Sequence, residues 1–469
     1  MKIYYHYNKW AFLLLMGMGG MNAAKAQEQK TLLLSEAVQT GVANYQSIQA
    51  KQNYLRSSSA LIENTKNQYL PNVVGSLQQS FGTVNSSFGP YSAYGAAGVA
   101  SSGPTYASQS WNAAFGSIYI INTNWEAFTF GRKKAEVNYA TSVFNQDSAD
   151  VQQEKFVQSV KISGAYLNLL VAQTLIKNAQ ANLDRANYVR EVVMARTENG
   201  LNPGVDSSIV NAEVSNAKLV LYDAINNEQK YSNDLAQLIN AATIHYVTDS
   251  VFLKNIPTVF TTQMTVDQNP QVKFYQTRVE QSKSLSNYYS KSILPSLNLF
   301  GVFQSKGSGF KNDYTPGNPD YTSSYLSGLN PTRTNYVAGV SIAWNFLSPL
   351  KIKQRVISQN FISKGLQNEY DLISTQLKDQ LYYSDQSIEN SLNKFREAPI
   401  QYKSAEDAYV QKSVLYKNGL TTIVDLQQAL YLVNRAETDQ SVAYVNVWQA
   451  LLQKAAASGD FDLFFKQVR

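Results

Sequence analysis

The chain has 469 residues and no cysteine; 44% of the residues are apolar, only 16% are charged, and the formal net charge is +6. The absence of cysteine excludes a disulfide framework and a metal–thiolate site, and the low charge argues against a disordered solvating segment and a nucleic-acid-binding protein. Three of the positive charges lie in the first 26 residues, so the rest of the chain carries about +3, too little to indicate a partner.

The first 26 residues have the pattern of a secretory signal. A basic segment, MKIYYHYNKW, precedes an apolar run, AFLLLMGMGG, and Ala24-Lys25-Ala26 provides an A-x-A cleavage site. A short membrane anchor is the alternative, but the apolar run is well below the ~20 residues that a spanning helix needs. We therefore expect export, with a mature chain that begins at Gln27.

Alternating patterns predict two pairs of β-strands, at about 72–125 and about 295–346. The large residues that share a face are Val73, Leu77 and Phe81; Trp111, Ala113, Phe115, Tyr119 and Ile121; Leu297, Leu299 and Phe303; and Tyr336, Ala338, Val340, Ile342 and Trp344. Loops of about 25 residues, rich in Gly, Ser, Tyr and Pro, join each pair. The period of two, with aromatic residues near the strand ends, is typical of transmembrane strands. A strand of a soluble sandwich gives a similar pattern.

Four strands cannot close a barrel by themselves. An open sheet edge in lipid leaves backbone N–H and C=O groups unpaired, at a cost of several kcal/mol each. If the strands are transmembrane, other copies of the chain must therefore fill the edges.

Long helical segments follow each strand pair, and we expect helical hairpins at about 131–244 and about 350–457. No proline lies between Gly131 and Asn199, and only Pro399 interrupts the segment from Leu350 to Asn418. At 1.5 Å per residue such a segment forms a helix of ~100 Å, longer than a compact domain needs. Apolar residues at spacings of three and four predict a coiled-coil seam: Leu169, Ala172, Ile176, Ala179, Leu183, Ala186 and Val193. An ordinary coiled-coil rod would show the same seam.

The second half of the chain repeats the first. RTENGLNPGVD at 196–206 and KNGLTTIVD at 417–425 both contain Asn-Gly-Leu, with an Asp six residues after the Gly. The same offset of 219 residues aligns Trp125 with Trp344 and Arg132 with Lys351, which indicates a tandem duplication. We therefore divide the chain into a signal segment at 1–26, a first repeat at 27–250 and a second repeat at 251–469.

With these features, the chain from Thr31 to Gly459 resembles the outer-membrane efflux protein (TolC) family, and the TIVD of the second turn reads as the family sequence does. The resemblance implies a mixed α/β membrane protein: a homotrimer with a 12-stranded transmembrane β-barrel, four strands per chain, continuous with an α-helical coiled-coil tunnel across the periplasm of a Gram-negative bacterium. It also implies an exit duct for efflux or type I secretion. Its partners would be a periplasmic adaptor, an inner-membrane pump and outer-membrane lipid.

The resemblance implies roles at the periplasmic mouth as well. Asp206 and Tyr416 correspond to partners in contacts that hold the mouth shut, and Asp425 to one carboxylate of a constriction ring. Thr421 stands where the family has a bracing Arg, and Gln428 where it has a second ring Asp, so a trimer would hold three ring carboxylates, expected to raise one another's pKa. The residues alone leave another role open, in which Asp206 and Asp425 are N-caps of the returning helices.

The tip residues Gly200-Leu201 and Gly419-Leu420 resemble those that dock an adaptor in the family. For an enzyme the sequence offers little, because His6 belongs to the signal, only His245 remains, and neither G-x-S-x-G nor a P-loop is present. We predict no catalytic residue, cofactor or metal site. A structural or adhesive coiled-coil surface protein is the alternative function.

Overall fold

The computed structural model of the chain describes residues 31–86, 92–93, 98–99, 105–241, 246–260 and 264–468. The predicted signal segment, His245 and most of the loop of the first strand pair lie outside these residues. The strands are β1 (Thr31–Leu32), β2 (Asn72–Thr83), β3 (Ser92–Ala93), β4 (Gly98–Val99), β5 (Ala113–Phe128), β6 (Val247–Thr248), β7 (Ser296–Ser308) and β8 (Arg333–Ala343). The α-helices are α1 (Leu34–Asn44), α2 (Gln46–Asn67), α3 (Arg132–Glu198), α4 (Gly204–Ile239), α5 (Val251–Lys254), α6 (Pro270–Lys291), α7 (Tyr325–Leu329), α8 (Ser348–Lys417), α9 (Ile423–Ser458) and α10 (Asp462–Phe465).

The long strands form one antiparallel sheet in the order β2-β5-β7-β8. β5 is an inner strand that pairs on both sides and runs to Phe128, whereas β2 and β8 are the edges. Two predicted boundaries are wrong: Trp111 precedes β5, whose pairing with β2 begins at Ala113, and Trp344 follows β8. The alternation that the sequence shows continues past the residues that find hydrogen-bonding partners on a neighbouring strand.

One face of the sheet is apolar and exposed, as the period-two pattern predicts. The register places Leu77 opposite Tyr119, and Phe303 between Ile121 and Tyr336. Leu77 is 62% exposed and Tyr336 84% exposed. A sandwich strand would bury such side chains against a second sheet. Here α7 and the loop residues beside it lie on this face, at the end of the sheet away from the long helices.

The contacts of α7 close that end of the sheet. The Ser117 hydroxyl donates to the Gly328 carbonyl at 2.9 Å, and the Tyr119 hydroxyl donates to the Leu329 carbonyl at 3.0 Å. Part of the second loop thus folds back over the sheet.

The two longest helices, α3 with 67 residues and α8 with 70, run from the sheet to two hairpin turns. Near the sheet they pack with α2 and α6, and near the turns with α4 and α9, where the helices lie in the order α4-α3-α9-α8. The predicted seam of α3 is confirmed, since every member is buried except Ile176, which is half-buried.

Pro399 lies inside α8, which continues through it from Ser348 to Lys417. A proline inside a helix removes one backbone hydrogen bond and costs ~3 kcal/mol. α8 contacts α9 on both sides of Pro399, between Phe395 and Tyr444 and between Gln401 and Asp439, and this packing offsets the local cost.

The main hydrophobic core lies where α1, α5 and α10 pack against α3, α4 and α9. Trp448 is its largest member and is 1% exposed. Its Nε1 donates to the Asn255 carbonyl at 3.0 Å, and its ring centroid lies 5.1 Å from that of Phe252 and 6.0 Å from that of Phe464. Through this core, the N-terminal and C-terminal segments pack against the helical hairpins.

No helix within the described ranges combines the length and the apolar character that crossing a membrane requires.

Candidate functional site at the hairpin tips

Both helical hairpins turn in the same way. α3 and α8 are each followed by an Asn and then by a left-handed glycine, Gly200 at φ 72° and Gly419 at φ 75°. In both turns the Gly amide donates to the carbonyl three residues earlier at 3.0 Å, and the next amide donates to the carbonyl five residues earlier at 2.9 Å. These bonds form a Schellman motif, which ends a helix and needs a positive φ that glycine adopts most readily. The repeated Asn-Gly-Leu is therefore a helix stop.

A leucine follows the left-handed glycine in each of the two turns. Leu201 is 67% exposed and Leu420 is 72% exposed. Each turn therefore exposes one large apolar side chain to solvent.

Asn202 joins the two hairpins. Its Nδ2 donates to Asp206 Oδ2 at 2.8 Å and to the Tyr416 hydroxyl at 2.7 Å. Its Oδ1 accepts from Arg196 Nε at 2.9 Å, and Arg196 Nη1 donates to the Lys417 carbonyl at 2.8 Å. We call Arg196, Asn202, Asp206 and Tyr416 the tip cluster. The two residues that the resemblance implicates, Asp206 and Tyr416, thus lie together but are connected through an amide that the sequence analysis missed.

The tip cluster is largely shielded from water. Tyr416 is 3% exposed and Asp206 9% exposed. Burial raises the pKa of the Tyr416 hydroxyl above its ordinary value, the charge of Asp206 raises it further, and the hydrogen bond from Asn202 opposes both effects. The apolar residues packed around Tyr416 are Val189, Val193, Val210, Ile423 and Leu426. The hydroxyl therefore stays neutral and serves as a hydrogen-bonding group at neutral pH.

Neither aspartate is an N-cap, so that expectation is wrong. α4 has Pro203 as its N-cap, and Asp206 is the third residue of the helix. In α9 the N-cap is Thr422, whose hydroxyl accepts from the Asp425 amide at 3.2 Å. Asp425 is the reciprocal member of this capping box, because its carboxylate accepts from the Thr422 amide.

The carboxylate of Asp425 is held by its own turn. The Thr421 hydroxyl donates to Asp425 Oδ2 at 2.7 Å, and Lys412 Nζ lies 4.0 Å from Oδ1. The Thr421 bond lowers the pKa of Asp425 most, followed by the bonds from Thr422 and the charge of Lys412. Within one chain the pKa shift is thus opposite to the rise expected for a ring, which requires neighbouring copies. Gln428 is exposed on α9.

A row of polar contacts continues from the tip cluster along α3 and α9. Arg185 Nη2 lies 2.6 Å from Glu437 Oε2 and also donates to Asn434 Oδ1 at 2.6 Å. Further along, Asn178 Nδ2 donates to the Ser441 hydroxyl at 2.9 Å. Polar residues beside the apolar seam of α3, at helical spacing, are the signal that predicts such a row. It joins the two hairpins over several turns.

No group of three or more His, Asp or Glu residues within the described ranges is placed to hold a metal ion.

The fold is similar to that of solved outer-membrane channels. The chain is similar to VceC, an outer membrane protein of Vibrio cholerae, with 15% identity, a TM-score of 0.71 and coverage of 91% of this chain and 96% of that one. It is also similar to the Campylobacter jejuni outer membrane channel CmeC, with 14% identity, a TM-score of 0.71 and coverage of 91% and 85%. For the Neisseria gonorrhoeae outer membrane channel MtrE the identity is 14%, the TM-score 0.71 and the coverage 91% and 88%.

No protein-family model matches the sequence, and no curated protein does. The similarity to these solved structures nevertheless confirms, at the level of the fold, the predicted resemblance to the outer-membrane efflux family.

Proposed function

We propose that the chain is the outer-membrane exit channel of a tripartite efflux or type I secretion system in a Gram-negative bacterium. It passes substrates that an inner-membrane pump and a periplasmic adaptor deliver. The observation that carries this proposal is the sheet with one exposed apolar face and two open edges.

The open edges favour assembly with further copies of the chain. Within the described residues β2 and β8 each pair on one side only. Because successive strands of the sheet alternate in direction, β8 of one copy and β2 of the next run antiparallel and continue the same ladder. Closure in this way removes every edge, as a bilayer demands. Three copies, the number taken from the family, give twelve strands.

The helical hairpins supply the duct below this barrel. At 1.5 Å per residue, the 67 residues of α3 extend ~100 Å from the sheet to the tips. In the assembled channel the tips form the periplasmic mouth, where Leu201 and Leu420 contact the adaptor. The tip cluster holds the mouth closed, and Asp425 contributes one carboxylate per chain to its constriction.

Deletion of a strand pair tests the proposal. Removing residues 73–125 or 294–344 takes away two of the four strands, so three copies would supply six strands instead of twelve and could not close a wall around all the helical hairpins. We expect loss of outer-membrane insertion and of trimers together, measured by membrane fractionation and by gel mobility without heating. Circular dichroism of the deleted protein is the control, since the helices should remain. An inserted trimer without one strand pair would contradict the barrel.

A structural or adhesive surface protein is distinguished by conductance. Such a protein needs no exposed apolar sheet face and forms no pore. Discrete conductance steps from the purified protein in a planar bilayer support the channel, and stable trimers without any conductance support the alternative.

A further inference from the structure

Positive charge is concentrated where the sheet meets the helices. We define the junction collar as residues 63–72, 124–136, 288–295 and 344–355, which include the ends of α2 and α6 and the beginnings of α3 and α8. The collar contains eight basic and three acidic residues, a surplus of five, in a chain whose total is only +6. The weak overall charge therefore conceals one strongly basic zone.

The three acidic residues of the junction collar already have partners. Glu126 pairs with Arg132, Glu63 pairs with Lys66, and Glu136 accepts from the Tyr69 hydroxyl. In contrast, four exposed lysines have no ion pair within the described part of the chain: Lys134, Lys291, Lys351 and Lys353. These four ammonium groups are available to a ligand.

Helix stability does not explain two of these lysines. Lys291 is the last residue of α6, where a cation is favourable. In contrast, Lys134 lies in the first turn of α3 and Lys351 in the first turn of α8. Cations at a helix N-terminus oppose the helix dipole. Lysine nevertheless stands at both of these N-terminal positions, and the repeat has a further lysine, Lys353, at the position equivalent to Lys134, so an external negative charge is the simpler explanation.

The junction collar borders the exposed apolar face directly. Trp125 and Trp344 lie at this end of the sheet, and in both repeats the indole N–H donates to a backbone carbonyl of the preceding turn: Tyr69 at 2.8 Å and Ile293 at 3.0 Å. The ring of Trp344 also lies 4.7 Å from that of Phe346. Fixed indoles between an apolar band and a row of lysines match the order of a bilayer, from acyl chains through the interface to phosphates.

We infer that the junction collar binds the phosphates of anionic phospholipids in the membrane leaflet that faces the helices. This inference rests on the proposed function, because it requires the sheet to be inserted. A basic surface for an acidic protein would not need to adjoin an apolar face and a pair of fixed tryptophans, so a lipid surface fits the collar better. The lysines would fix the depth of the channel in the membrane.

Tryptophan quenching in vesicles tests the inference. In the exported Trp111→Phe protein, Trp125 and Trp344 are the accessible tryptophans, since Trp448 is 1% exposed. The protein is inserted into phosphatidylcholine vesicles that contain the same minor fraction of brominated phosphatidylglycerol or brominated phosphatidylcholine. We expect stronger quenching by the brominated phosphatidylglycerol, corresponding to a local enrichment on the order of fivefold that decreases with added salt.

Two charge variants identify the source of any preference. Replacing the four free collar lysines by Gln should abolish the preference for phosphatidylglycerol. The matched control replaces four exposed lysines elsewhere on the long helices, Lys177, Lys218, Lys378 and Lys394, and should retain it. Both variants are checked for trimers and insertion.

Each outcome has a separate meaning. Insertion with equal quenching by the two lipids, or a preference that the collar variant retains, overturns the lipid inference and leaves the channel in place. Insertion itself is measured by flotation of the protein with the vesicles. If the unmodified protein does not insert, the proposed function is overturned and the inference with it.

Discussion

Replacing Asn202 by Ala should weaken the closed state of the channel. The side-chain amide donates to two shielded acceptors, Asp206 and Tyr416, and both lose this donor at once. An unsatisfied buried polar group costs ~1–3 kcal/mol, and a water molecule can replace part of this at the tip, so we expect a net loss of about 2 kcal/mol per chain. For each chain this corresponds to a roughly 30-fold change in the ratio of open to closed states, and the effect on the whole channel is larger if the three chains open together.

Single-channel recording in planar bilayers measures this ratio as the time spent at high and low conductance. The matched control is Asn199→Ala, at the same tip, because the Asn199 amide donates only to the Ala195 carbonyl of its own helix. The control should shift the ratio little, since it leaves the link between the hairpins intact.

A double-mutant cycle with Tyr416→Phe separates the link from general damage. If Asn202 and Tyr416 act through their 2.7 Å hydrogen bond, the two changes together should cost less than the sum of the single changes, by ~1 kcal/mol. Additive effects, or an Asn202→Ala channel that behaves like the Asn199→Ala control, would refute the assignment of Asn202 as the link.

Three further predictions concern the tips, the constriction and the core. Gly200→Trp combined with Gly419→Trp should leave the trimer intact but abolish adaptor binding in pull-down assays, because both positions need a positive φ; unchanged export would place the adaptor contact elsewhere. Asp425→Ala should reduce cation selectivity and multivalent-cation block in bilayers, and Gln428→Asp should increase them; no change in either variant would leave Asp425 with its capping role alone. Hydrogen bonds lower the pKa of Asp425 below the ordinary aspartate value of 3.8, so its carboxylate and the cap that it forms should persist down to that pH and be lost only below it. Loss of cation selectivity at a higher pH would mean that repulsion between copies outweighs those bonds. Trp448→Ala should lower the free energy of unfolding by ~3–5 kcal/mol in denaturant titrations, since it empties the largest buried site; a loss below ~1 kcal/mol would mean that this core contributes little.

Local structure, and the face to which each side chain belongs, could be predicted from the order of residues alone. Alternation identified the apolar face that includes Leu77 and Tyr336, and spacings of three and four identified the seam of α3. The repeated Asn-Gly-Leu marked both turns, because a helix stop depends on a few consecutive residues. These features follow from backbone geometry within a segment, which the order of residues specifies directly.

Where the segments end, and which of them contact one another, depends on long-range packing. The pairing of β5 with its neighbours set the strand boundary beyond Trp111, and packing against α9 carried α8 through Pro399. Asn202 and Tyr416, 214 positions apart, form their bond only because α3 and α9 bring the two hairpins side by side. The sequence offered Asn202 only as one more polar residue in a turn. Its role depends on the distance and burial that long-range packing creates, and no periodicity within either segment encodes them.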